Sequence, residues 1–176
     1  MDLVLKQKDI FKLVFLLLFA VYLFAAAVNY QNFNIFKGVN MAIHEAGHIL
    51  FSMFGDFIAI AGGTILELLL PLVFALYFYL RKELYSSAIV TLWLGYSFFD
   101  VAIYANDAQK MALPLLGDDP SGHDWHNMLS MLNLLTLTPQ IAGFIYFLGV
   151  LIMIFGLILG IKSIFGKTNP NNFYEK

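Results

Sequence analysis

Apolar residues fall in long uninterrupted runs along this chain. The first covers Ile10 to Val28 and follows Lys6, Lys8 and Lys12. It is as long as a bilayer-spanning helix. Its basic start and the small residues Ala25-Ala26-Ala27 also fit a cleaved signal segment, the alternative reading. A second run, Val39 to Ile60, carries His44-Glu45-Ala46-Gly47-His48. A third, Ile58 to Leu80, stops at Arg81-Lys82-Glu83, and Gly62-Gly63 at the junction predicts a bend. The fourth runs from Ser86 to about Ala105 and the fifth from Gln140 to Phe165. Thr138-Pro139 reads as an N-cap followed by a first helical residue. Between these last two lies the least apolar stretch, Asn106 to Asn127, with Asp107, Asp118, Asp119, His123, Asp124 and His126. A short amphipathic helix over Trp125 to Leu135 is expected after it.

The pattern predicts an all-α, polytopic membrane helix bundle of four to five hydrophobic helices, forming one integral-membrane domain over residues 1–176. Composition agrees: 60% of the residues are hydrophobic and 12% are charged, against about 25% charged in a soluble domain. The net charge of -2 leaves no basic field, so nucleic acid is excluded as a partner. With no cysteine, a metal would have to be held by His, Asp or Glu.

Lys and Arg near helix ends mark the cytoplasmic side. Lys6, Lys8 and Lys12, then Arg81 and Lys82, then Lys162 and Lys167 all face it only if an even number of full spans separates them. The histidine-bearing run must then enter and leave on one side, as a re-entrant helix lined by protein. This places both termini in the cytoplasm and the Asn106 to Asn127 segment opposite. The expected setting is the plasma or inner membrane of a prokaryote.

His44 and His48 are four residues apart, so a helix puts both imidazoles on one face. Two neutral imidazoles can share one zinc ion at about 2 Å. Glu45 beside them is placed to take a proton from an attacking water and return it to a leaving group. Ionisable groups inside a membrane are costly and usually functional. A hydrogen-bonded helix interface is the bland alternative.

HEAGH on a hydrophobic helix, in a small protein of several spans, resembles the site-2 protease family of intramembrane zinc metallopeptidases. The resemblance is confined to the second run and the general architecture. It implies His44 and His48 as Zn2+ ligands and Glu45 as catalytic base. In that family an Asp within an Asp-Gly motif on a later helix completes the metal site. This chain has no Asp-Gly, so the third ligand is not carried over. The candidates are His123, Asp124 and Asp107, with His126 behind them.

Tyr96, Asp100, Tyr104 and Asp107 share one face of the fourth run. They form either a second wall of the metal site, with Asp107 a ligand or Asp100 orienting a ligand histidine, or an interhelical hydrogen-bond stripe. Asp124 can alternatively cap the following helix, with Trp125 an interfacial anchor. Glu67 in the third run either hydrogen-bonds a substrate or a ligand histidine, or is a buried structural carboxyl. Gly149, Gly156 and Gly160 suit close helix packing. The expected activity is zinc-dependent hydrolysis of peptide bonds in membrane-embedded or membrane-adjacent segments. The partners are then membrane lipid and a membrane-protein or membrane-peptide substrate. A zinc hydrolase of lipid amides or esters, and a zinc transporter or sensor, are the alternatives.

Overall fold

A computed structural model describes residues 6–30, 32, 34–114 and 122–166. Asp118, Asp119 and Lys167 lie outside them. The described residues form six α-helices: α1 (Gln7–Val28), α2 (Ile35–Phe51), α3 (Asp56–Leu80), α4 (Leu84–Asn106), α5 (Asp124–Met131) and α6 (Thr138–Phe165). Single 3-10 turns, Ser52–Phe54 and Leu135–Leu137, precede α3 and α6. The chain is an all-α membrane bundle. Four helices, α1, α3, α4 and α6 with its preceding turn, are long and apolar enough to cross a bilayer.

α4 is the axis of the bundle. Two-thirds of its most apolar stretch (67%) is buried, against 28% for each of the other three spans. α6 runs antiparallel to it, and small residues bring the two backbones together. A methyl group added at Gly149 would meet the Phe99 ring at 2.8 Å, and one at Gly156 would meet Leu92 and Ala88 at 3.1–3.3 Å. The expected packing glycines of this run therefore face α4, and Gly95 answers them from α4 itself, against Met153. α1 runs parallel to α4. The Tyr85 hydroxyl donates to the Lys12 carbonyl near their starts, and Leu16 packs on Gly160 one turn further along. Leu16 and Leu23 of α1 are fully buried beside Leu92, Tyr96 and Phe99. The first run is thus an integral part of the core.

α2 holds the key to the architecture. Its first turn sits beside the middle of α4, where Phe36 packs edge-on against Phe19, Trp93 and Tyr96. It then rises alongside α4: Asn40 reaches Asp100, and the His44 ring lies 5.8 Å from Tyr104. It ends beside the start of α3. Because α1 has already climbed past the level of Phe36, the chain drops back after Val28 before α2 begins. Asn34 caps the new helix by accepting from the Lys37 amide at 2.8 Å. α2 therefore runs from beside the middle of α4 only as far as the end of the bundle where α3 begins. Its outward face, with Ile35, Val39, Ile49 and Leu50, is exposed.

Several boundaries differ from the sequence reading. The second and third runs part at Gly55, whose φ of +90° suits only glycine, and not at Gly62-Gly63. Those two glycines lie within α3 and admit α2: added methyls there would strike the Gly47 carbonyl and the His44 ring. α5 ends at Met131 and not at Leu135. Its cap is His123, whose Nδ1 accepts from the His126 amide at 3.2 Å, so Asp124 becomes its first residue. Thr138 is the first residue of α6 and donates its hydroxyl to the Leu135 carbonyl.

Candidate metal centre

α2 and α3 form an antiparallel pair whose closest approach is glycine on glycine, Gly47 against Gly62 and Gly63. A side chain at any of the three would hold the helices apart. The flanking residues on that side of α2 are His44 and His48, so the same contact presses both imidazoles toward α3. Gly63 leaves the space that the His44 ring fills. The His48 Nδ1–H donates to the Ala59 carbonyl at 2.8 Å. That bond orients the ring so that Nε2 of His48 faces Asp124, at 3.3 Å from Oδ2. The two nitrogens of His44 are flanked by carboxylates, Nδ1 by Glu67 at 3.1 Å and Nε2 by Asp124 at 2.9 Å.

The loop between α4 and α6 delivers Asp124. Its Oδ2 lies 2.9 Å from His44 Nε2 and 3.3 Å from His48 Nε2. One donor atom from each of His44, His48 and Asp124 falls within 4.8 Å of the others. Zinc bonds of about 2 Å in a tetrahedron place ligand atoms about 3.3 Å apart, so this donor set fits zinc with little movement. Burial raises the Asp124 carboxyl, but its hydrogen bonds with His44 and His48 outweigh that and hold it down at about 2. It is therefore an anion at neutral pH, the form a metal requires.

Asp124 is the one of the three third-ligand candidates that the structure brings to the two histidines. His123 and Asp107 pair with each other instead, Nε2 to Oδ2 at 3.4 Å. The reason is local. His123 is spent as the α5 cap and is fully buried against the Tyr104 ring, 4.5 Å between centroids. Burial lowers its pKa against the pull of Asp107, which keeps Nδ1 unprotonated as capping demands. Asp107 also accepts the Leu113 amide at 2.8 Å. His126 turns its Nδ1 to the Ala108 carbonyl at 2.7 Å. These residues anchor the segment that presents Asp124. Tyr104 does so directly: its hydroxyl accepts the Asp124 amide at 3.0 Å and donates to Oδ2 at 3.2 Å.

Glu45 is exposed, and it lines a cavity of about 370 Å³ together with His44, His48, Glu67, Tyr104 and Asp124. The carboxylate is thus at the open side of the donor set. The polar stripe on α4 meets this wall step by step, with Tyr96 on Asn34, Asp100 on Asn40 and Tyr104 on Asp124. Asp100 reaches neither histidine by hydrogen bond. Glu67 occupies the place beside His44 that the sequence reading offered to Asp100. Asn40 was not singled out from the sequence. Its spacing of four from His44 was the available signal, since it puts both on one helix face.

No protein-family model, curated protein or solved structure matches the chain. The reading of the site accordingly rests on its chemistry.

Proposed function

We propose that this protein is a zinc-dependent hydrolase of the membrane that cleaves peptide bonds in membrane-embedded or membrane-adjacent segments. The observation that carries the reading is the convergence of His44, His48 and Asp124 beside an exposed Glu45. The three would hold the ion. Zinc bound there supplies Lewis acidity, polarising a carbonyl and making water a stronger acid. Glu45 accepts the proton of the attacking water and passes it to the departing nitrogen. Tyr104 keeps Asp124 in place. A helical substrate must unwind at the bond to be cut, because helical carbonyls are already hydrogen-bonded. The HEAGH resemblance to site-2 proteases favours the same chemistry. The direct test reconstitutes the protein with a fluorescently labelled transmembrane peptide. Cleavage should occur, stop with a zinc chelator and return when zinc is restored. Cleavage of lipid amides or esters with the peptide left intact would move the assignment to a lipid hydrolase.

The proposed orientation places Lys6, Lys8, Lys12, Arg81, Lys82 and Lys162 in the cytoplasm, at one end of the bundle. The candidate metal centre then opens toward the other side, and α2 never crosses fully. The chain has no native cysteine, so single-cysteine labelling can test this cleanly. Cysteines at the exposed positions Met53 and Lys110 should react with an impermeant external reagent, and one at Glu83 should not. Reaction of Met53→Cys from the cytoplasmic side alone would overturn the half-depth arrangement of α2 in the membrane.

A further inference from the structure

Glu67 lies in the middle of α3, the one ionisable carboxyl of that helix beyond its first residue, Asp56. It is 5% exposed. One carboxylate oxygen faces His44 Nδ1 at 3.1 Å, while the other has no hydrogen-bond partner among the described residues. Burying a carboxyl costs a fold stability unless its partners repay the lost hydration. Nothing in the packing of α3 calls for one: the buried residues nearest it on the helix are Gly63 and Pro71. Behind Glu67, fully buried Asn40 braces this wall. Its amide interacts with Glu67 and donates to Asp100 at 3.0 Å, and its oxygen accepts from Trp93 and Ser97 at 2.9 and 3.3 Å.

The geometry points to Glu67 as a positioning residue for His44, retained at the expense of fold stability; this rests on the reading of His44, His48 and Asp124 as a metal site. A neutral imidazole carries one N–H and can donate to one carboxylate only. His44 stands between two. A metal held at Nε2, beside Asp124 and His48, would leave the single N–H of His44 on Nδ1, where Glu67 lies at 3.1 Å to accept it. Without Glu67 that N–H loses its acceptor and the ring its fixed orientation. The accepted hydrogen bond also fixes the ring plane and makes Nε2 more basic.

A structural and a positioning role predict opposite signs, which makes the test decisive. The full chain in lipid nanodiscs is compared as wild type, Glu67→Leu and Glu67→Gln, measuring zinc affinity by chelator competition and the Tm of the metal-free protein. Glu67→Leu should weaken zinc binding about 10- to 100-fold while the metal-free Tm stays level or rises. Glu67→Gln retains an acceptor oxygen and should fall between the two in affinity. The inference is overturned by a Glu67→Leu protein that binds zinc as tightly as wild type. It is equally overturned by one that fails to fold or loses metal-free stability together with affinity, since either result makes the carboxylate structural. A wild-type protein that binds no zinc overturns the metal reading itself, and this inference with it, so the two failures are told apart by the wild-type arm.

Discussion

Protein purified with zinc present, and never exposed to chelator, should carry about one zinc ion per chain, and His44→Ala, His48→Ala and Asp124→Ala should each lose it. The expected effect is large because three protein donors share the ion. Structural zinc sites in zinc-finger peptides are worth on the order of 10–16 kcal/mol shared among their donors, so removing one of three donors here should weaken binding by orders of magnitude. The three side chains come from two distant parts of the chain, with α3 and α4 between them. Loss of zinc on Asp124→Ala therefore tests the tertiary arrangement as well as the motif. His123→Ala and Asp107→Ala are the informative controls. Both residues are rich in metal-ligating chemistry and adjacent to the site, yet they pair with each other. These variants keep all three donors, so each should retain more zinc by elemental analysis than Asp124→Ala does. If His123→Ala empties the site while Asp124→Ala leaves it full, the donor assignment is wrong.

The second large effect is expected from Glu45→Gln. The amide has nearly the shape of the carboxylate and none of its basicity, so zinc content and fold should be unchanged. Hydrolysis of the labelled peptide should fall by about 10²- to 10⁴-fold, the usual contribution of a positioned general base. Glu45 is well suited to a separable role because it is exposed, on the cavity side of α2. A transporter would behave differently, since moving an ion needs ligands and not a base. Zinc flux that persists in Glu45→Gln vesicles, with no peptide cleavage by wild type, would decide for transport.

The long spans were legible because hydrocarbon imposes a length and a composition on whatever crosses it. His44, Glu45 and His48 were legible because a spacing of four is a statement about one helix. Asp124 was legible only as one of several candidates. The loop that carries it offers His123 and Asp107 in the same neighbourhood, and the choice among them depends on which side chain is consumed as the α5 cap. That is a question of backbone direction, which composition does not encode. Gly62 and Gly63 show the same limit. Glycine permits both a bend and a close approach, and only the presence of Gly47 opposite them selects the second. Asn40 lay hidden for another reason: its importance comes from partners on α4, far away in sequence.

The stripe of hydrogen bonds joining α2 to α4 acts as a seam whose strength depends on its solvent. Buried groups have few competing partners, so the Asn40–Asp100 pair, 1% and 9% exposed, holds firmly, with Asn34–Tyr96 below it. Water can trade places with protein groups, so the same kind of bond yields more readily at the Tyr104–Asp124 end, where the cavity opens. One uniform chemical device thus gives a stitched lower half and an upper half that can part. Any separation of the two helices falls at the donor set, while the limb that carries the histidines stays tied down below.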